Sequence, residues 1–264
     1  MKALNKKTLS EDEMHKIREL EQEKILLSAL HDLLDRKYMK MDELCTIVSH
    51  EFKTPLVPIK AYLEMLLKGN FGKLTKIQEK KLSIVRTNAG RLSELIDDLI
   101  EFKKIEVEGL KIQKKKVILS KVITDSILAV QYVAKENKIN VIHDPSPIVI
   151  ICDPDKISKA LINLIKNSLD TATHSDRIGI YVMDGENVVE IMVKDNGVGI
   201  PKGKQKAIFE KFNQADMSST REKGGIGLGL YLSKKIIESH GGKIWVESEV
   251  GKGTEVHFSL PKNL

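Results

Sequence analysis

The sequence predicts an α+β protein in which a long helical hairpin precedes an α/β domain of mostly antiparallel strands. Three observations predict it: an apolar stripe at helical spacing from about Leu9 to Phe102, a glycine-bearing break inside that stripe, and short β-rich runs alternating with amphipathic stretches beyond Leu110. A chain of 264 residues is long enough for two domains, each with its own core.

The first helix is read from Leu27, Leu30, Leu34, Tyr38, Met41, Cys45, Val48, Phe52, Leu56, Ile59, Leu63 and Leu66, which follow one another at steps of three or four with charged residues between. Consecutive steps of four at 30, 34, 38 and at 48, 52, 56 read as stutters that locally unwind a supercoil. The stretch "KGNFGKLT", 68–75, then breaks the helix, and a second series runs Leu82, Val85, Ala89, Leu92, Ile96, Leu99. Two long helices joined by a short loop make an antiparallel hairpin. One apolar stripe per helix cannot be shielded within a single hairpin, so pairing with a second copy into a four-helix bundle is expected.

After "EFKKIEVEGL" the pattern changes. The runs "KKKVILS", "INVIHD", "PIVIICD", "IGIYVMD", "VVEIMVKD", "GKIWVESE" and "TEVHFSLP" read as strands, with helical stretches at 121–136, 155–172 and 227–240.

Composition narrows the function classes. Hydrophobic residues at 41% with charged residues at 30% exclude a disordered chain. The net charge of +6 does not mark a nucleic-acid binder, because the lysines are interleaved with acids and the densest basic run, "KIQKKKVILSK" at 111–121, has no aromatic interleaving. Cys45 and Cys152 are too few for a disulfide framework and read as reduced thiols. The start "MKALNKKTLSEDEM" lacks the apolar core of a signal peptide, and no run approaches about 18 apolar residues, so no membrane segment is expected in this chain.

Four stretches carry candidate chemistry. In "SHEFKTPLVPIKAYLEML", 49–66, His50 projects away from the apolar stripe, Thr54 follows one turn on along the same polar face, and Glu51 lies on the flank. Pro55 removes the donor for the Glu51 carbonyl and is expected to bend the helix there. An exposed imidazole beside a carboxylate that can accept its second ring proton can act as a nucleophile. In "ALINLIKNSLDTA", 160–172, Asn163, Asn167 and Asp170 share one face opposite Leu161, Leu164, Ile165 and Leu169, and amide and carboxylate oxygens suit Mg²⁺. "VKDNGVGIP", 193–201, ends a strand with Asp195 ahead of Gly197 and Gly199, where the backbone can approach a flat ligand and the carboxylate can accept from an exocyclic amine. "KGGIGLGLYLSKKIIESHGG", 223–242, sets Gly225, Gly227 and Gly229 before an amphipathic helix whose N–H groups can hold phosphate. Each stretch alone is equally compatible with a surface histidine, a polar helix face, an Asn-Gly turn or a glycine-rich loop.

Taken together and in this order, the stretches resemble the sensor histidine kinase family over about residues 41 to 260. "SHEFKTPL" resembles its H-box, "NLIKNSLD" its N-box, "DNGVGI" its G1 box, "IFEKFNQAD" at 208–216 its F-box, "GGIGLGL" its G2 box and "GKGT" at 251–254 its G3 turn. The resemblance implies a dimeric antiparallel helical hairpin followed by a Bergerat-type α/β sandwich that binds ATP. It divides the chain into a helical coiled-coil linker at 1–40, a dimerisation and histidine phosphotransfer hairpin at 41–107, and a catalytic domain at 110–264. It further implies a homodimer in which His50 is the phosphoacceptor and Glu51 takes the imidazole proton. Asn167, with Asn163 nearby, would hold Mg²⁺ on the triphosphate, and Asp195 would read the adenine amino group. Gly197, Gly199, Gly225, Gly227 and Gly229, with Phe212 of the F-box, would shape the pocket, and "NQADMSSTREKG" would form a mobile lid. The phosphoryl group would pass to an Asp of a response regulator receiver domain, and Thr54 would help orient water for dephosphorylating that regulator.

Two positions depart from the family pattern. Asp170 stands where a lysine is common, so a phosphate contact must come from elsewhere, with Lys166, Arg221 and Lys223 as candidates. Ile226 replaces a frequent threonine. The alternative reading is a non-enzymatic dimeric scaffold whose ATP site is degenerate. A cytoplasmic location is expected, with membrane association only if this is the core of a longer receptor.

Overall fold

The computed structural model describes residues 49–136, 140–143, 147–171, 177–213 and 226–262, with isolated helical positions at 16, 21, 24 and 28. Most of the expected linker, Cys45, Gly225, Arg221, Lys223 and nearly all of the expected lid lie outside the described residues. By contacts the chain divides into two units, Met1–Pro55 and Leu56–Leu264.

In the first unit every described residue is helical, and the helical residues 49–67 (α1) begin there. The helix runs unbroken through Pro55 and Pro58, although each proline removes one intrahelical donor. His50 and Thr54 are exposed, as expected of their polar face, as are Glu51 and Pro55, whereas Ser49, outside the predicted stripe, is buried and Phe52, within it, is 56% exposed. The Thr54 hydroxyl donates back to the His50 carbonyl at 3.0 Å, the back-bond that lets a threonine sit inside a helix.

In the second unit, residues 56–67 of α1 pair with α2 (Lys76–Glu108) across the break predicted at 68–75. Thr75 caps α2 with a reciprocal capping box: its side chain accepts from the Gln78 N–H, and the Gln78 side chain accepts from the Thr75 N–H. Leu56, Leu63, Ala89 and Ile96 form the hairpin's core, with Leu82 and Ile100 against it. Val85 and Leu92 of the predicted stripe stay about half exposed, at 48% and 46%, as do Ile59 and Tyr62 on α1, at 47% and 60%.

α2 ends at Gly109, and β1 (Lys115–Ile118) opens the α/β region. Then follow α3 (Leu119–Glu136), β2 (Asn140–His143), β3 (Val149–Cys152), α4 (Pro154–Thr171), β4 (Arg177–Asp184), β5 (Val188–Asp195), α5 (Gly229–Ser239), β6 (Lys243–Glu249) and β7 (Gly253–Pro261). Every predicted strand run forms a strand. One boundary differs: Leu119, at the end of a predicted strand run, instead starts α3, where it is 1% exposed in the core. β1 pairs antiparallel with β3, and a five-stranded sheet has the order β2-β4-β5-β7-β6, antiparallel except for β2 beside β4.

The core lies between one face of the five-stranded sheet and the helices. Leu161, Leu164, Ile165 and Leu169 are buried there, as the α4 pattern predicts. Asp153 caps α4, its Oδ1 accepting from the N–H groups of Asp155 and Lys156, while its own N–H donates to His240 Nε2 at 3.0 Å. Cys152 is a free thiol, and burial pushes it up to about 11.

The last turns of α2 pack on α5, which is why the hairpin and the α/β region fall in one contact unit. Ile105, Leu228, Tyr231 and Leu232 form one cluster, with Leu99, Phe102 and Ile226 against it. Around it, Lys166 pairs with Glu94 at 2.7 Å, Lys156 with Glu101 at 2.9 Å and Lys211 with Glu106 at 2.9 Å. Lys159 reaches both Glu101 and Asp98.

Candidate active site

The site in the second unit is built where β5, α4 and α5 meet. Asp195 is the last residue of β5, on its inward register opposite Thr254 of β7, and is only 3% exposed. Its Oδ2 accepts from the Ser168 hydroxyl on α4, and its Oδ1 from the Gly197 N–H, both at 2.9 Å. A buried carboxylate must be held in this way, because desolvating an unpartnered charge costs several kcal/mol. Its orientation is therefore fixed at the mouth of the following turn.

That turn is closely packed backbone. A Cβ on Gly197 would come within 2.8 Å of the Thr171 carbonyl oxygen, and one on Gly199, whose φ is +73°, within 2.1 Å of the Glu249 carbonyl oxygen. Only glycine fits this approach of the turn to α4 and to the β6–β7 connection. Gly227 has φ +77°, and its carbonyl accepts from the Phe212 N–H at 3.1 Å. Phe212 itself adopts φ +61°, and its exposed ring meets Phe102 of α2 edge-on at 5.4 Å.

Gly229 opens α5, and its carbonyl accepts from Asn163 Nδ2 at 3.3 Å, tying the middle of α4 to the α5 start. A Cβ on Gly229 would meet Asn163 only at ordinary contact distance, 3.7 Å, so close packing does not require glycine here. The α5 start carries no side-chain cap and no acid in its first turn, so its N–H groups suit an anion. Asn167 lies exposed one turn along α4 from Asn163. Buried carboxylate, glycine turn, paired amides and uncapped helix start together fit a nucleotide, and the amide oxygens fit Mg²⁺.

Lys166, a candidate phosphate contact, instead pairs with Glu94. Ile226 packs into the cluster with Tyr231 and Phe102, which gives its side chain an apolar role. The sequence reading missed Ser168, which lies on the apolar side of α4, and it missed Glu106 and Tyr231. The Tyr231 hydroxyl donates to Glu106 and holds that carboxyl below its ordinary value, while burial pushes the Tyr231 hydroxyl up. Burial also raises Asp98 and lowers Lys159.

In the first unit, His50, Glu51 and Thr54 are all exposed on α1, with Thr54 bonded to the His50 carbonyl.

These features define a nucleotide-binding α/β domain following a helical hairpin that exposes a histidine. Residues 40–108 match the family model described as "His Kinase A (phospho-acceptor) domain", and residues 152–264 match "Histidine kinase-, DNA gyrase B-, and HSP90-like ATPase". The two matches in this order place the chain in the sensor histidine kinase family. It is 33% identical over 240 residues to the Sensor protein kinase WalK of Staphylococcus haemolyticus, covering 89% of this chain and 39% of that protein. The chain thus spans about two fifths of that relative's length. Among solved structures, full-length ShkA in complex with AMPPNP shares the fold at a TM-score of 0.64 and 24% identity, over 83% of this chain and 45% of that one. Histidine kinase ThkA in complex with the response regulator protein TrrA does so at 0.56 and 24%, over 97% of this chain and 68% of that one.

Proposed function

We propose that the chain is an ATP-dependent protein-histidine kinase that autophosphorylates His50 and passes the phosphoryl group to an Asp of a response regulator receiver domain. The observation that carries this reading is the buried, doubly hydrogen-bonded Asp195 at a glycine turn beside the uncapped start of α5. Bound ATP supplies the γ-phosphoryl group. Asp195 accepts from the adenine amino group, Gly197, Gly199, Gly225, Gly227 and Gly229 admit the nucleotide against backbone, and Asn167 with Asn163 holds Mg²⁺ at the phosphates. His50 attacks through one ring nitrogen, and Glu51 accepts the proton of the other. Thr54 orients water when the regulator is dephosphorylated, its hydroxyl oxygen accepting from the water while it donates to the His50 carbonyl.

The functional division follows the three segments 1–40, 41–107 and 110–264. The half-exposed Ile59, Tyr62, Val85 and Leu92 support a homodimer, because a second hairpin would cover them. No described helix is long and apolar enough to cross a membrane, and the segment acts on the cytoplasmic side.

The test is labelling with γ-labelled ATP. His50→Gln abolishes acid-labile, alkali-stable label while nucleotide affinity stays within twofold; persistent label in the variant refutes the assignment. The scaffold reading is favoured by Asp170 and by the Lys166–Glu94 pair, which leave the phosphates fewer cations. Calorimetry separates the two readings: a scaffold does not take up Mg²⁺-dependent ATP.

A further inference from the structure

The outward face of the five-stranded sheet holds a second cluster of chemistry that the nucleotide site does not use. Residues 254, 256, 258 and 260 of β7 face the core, so 255, 257 and 259 face away. His257 should therefore be exposed, yet it is 93% buried, with 7% of its surface accessible. The Trp245 ring from β6 stacks on it at 5.2 Å and 11°, and Glu190 from β5 reaches its Nδ1 at 2.8 Å. With Glu190 accepting from Nδ1, the neutral ring carries its lone pair on Nε2. That Nε2 is buried and has no hydrogen-bond partner.

A buried imidazole nitrogen without a partner is a cost unless something fills it. It faces the Glu255 carboxylate. Nε2 lies 3.6 Å from Glu255 Oε2, beyond hydrogen-bonding distance, and one atom each of Glu247, Glu255 and His257 all fall within 4.8 Å of one another. Glu247 and Glu255 are also directly opposed in the β6–β7 pair, where two like charges repel. The unfilled nitrogen and the two facing carboxylates converge on one place, and Glu190 holds the ring from behind.

We propose that Glu247, Glu255 and His257 form a binding site for a divalent cation of the zinc class, with Glu190 orienting the imidazole. One imidazole nitrogen and two carboxylates suit Zn²⁺, whose bonds of about 2.0–2.2 Å put neighbouring ligand atoms roughly 3.3 Å apart. The His257–Glu255 spacing of 3.6 Å is close to that already, and Glu247, exposed on the edge strand β6, supplies the remaining movement. A carboxylate behind a ligating histidine is the arrangement that fixes the ring's tautomer and raises its basicity. Lys194 is the built-in competitor: its Nζ sits 2.6 Å from Glu255 Oε1, and it leaves Oε2 open. Asp195 faces the opposite side of the sheet from this cluster, so nucleotide and cation occupy separate sites. The cation would tie the edge strand β6 to β7.

Trp245 is the only tryptophan in the chain and stacks directly on His257, so it reports on the site. The metal-free full chain is titrated with Co²⁺ while Trp245 emission is followed, and Zn²⁺ is then added as competitor. Saturable quenching at one Co²⁺ per chain, reversed by Zn²⁺, is expected. Glu247→Gln, on the exposed edge and hence safe for folding, weakens both ions at least tenfold, His257→Gln abolishes the response, and Glu190→Gln weakens it about ten- to a hundredfold. Quenching that is linear in Co²⁺, or unchanged in Glu247→Gln, overturns the site. So does a doubly protonated His257 ring in ¹⁵N spectra that Zn²⁺ leaves unaltered, for that would make the cluster an ion pair of His257 with Glu190 and Glu255.

Discussion

The Tyr231 hydroxyl of α5 donates to the Glu106 carboxylate of α2, joining the helix that follows the glycine loop to the last turns of the hairpin. Phe102 stands edge-on to Tyr231 at 5.6 Å, and Lys211 covers both Phe102 and Glu106. Tyr231→Phe keeps the ring packing and removes only the hydroxyl, so it should cost about 1–2 kcal/mol of local stability. Amide exchange should accelerate together at 99–106 and 228–232, while exchange in β5 and β7 stays unchanged.

Asp195→Asn should leave the fold nearly intact, because an amide can still accept from Gly197 and meet Ser168; the loss in stability should be about 1 kcal/mol. Nucleotide affinity should fall at least a hundredfold by calorimetry, since the group proposed to read adenine loses its charge. An unchanged affinity would remove Asp195 from the nucleotide site.

The glycines should separate by conformation. Gly199→Ala and Gly227→Ala meet backbone oxygens at 2.1 and 2.6 Å with φ near +75°, and each should lower stability by roughly 1–3 kcal/mol. Gly229→Ala should stay within about 1 kcal/mol of the native chain. Thermal unfolding of the three variants compares them directly.

His240 gives the pH dependence. Burial is the largest cause holding it below its ordinary value, and its Nε2 accepts from the Asp153 N–H while Nδ1 faces the Ile236 carbonyl, so the folded form keeps the neutral ring. The unfolded chain therefore binds a proton more readily, near pH 6.5. The His240 contribution is fully present above that pH and is lost as pH falls through the lower folded value. Denaturant unfolding from pH 8 to 5 should show this fall in the native chain and a flatter profile in His240→Gln, compared as a difference.

Much of this was legible along the sequence because the relevant patterns are local. Alternation marked the strands, and the α4 periodicity set Asn163 and Asn167 opposite Leu161 and Ile165. Asp195 stood out because a strand end and a glycine turn adjoin it. Ser168 did not, since on α4 it sits on the apolar side, and only the sheet's placement of Asp195 makes it a donor. Nor did the α2 partners of Lys156, Lys166 and Lys211: Glu94 lies 72 residues from Lys166 and Glu106 lies 105 from Lys211, and no periodicity spans such separations. The edge-on contact of Phe212 with Phe102, 110 residues earlier, is likewise invisible to any local pattern. His257 was hidden because alternation predicts exposure on its face, and Trp245 and Glu190 remove it.

The lysine pairs to α2 have a further consequence, which concerns the solvent. Lys156, Lys166 and Lys211 come from the α/β region and their partners Glu101, Glu94 and Glu106 from α2, so partly exposed opposite charges ring the apolar part of this contact. Such attraction is screened over about 8 Å at physiological ionic strength and over about 3 Å near 1 M salt. The apolar cluster of Ile105, Leu228 and Leu232 feels no such screening. Ionic strength is thus a dial on the grip between hairpin and α/β fold, and a measurement made in dilute buffer records the tightest setting.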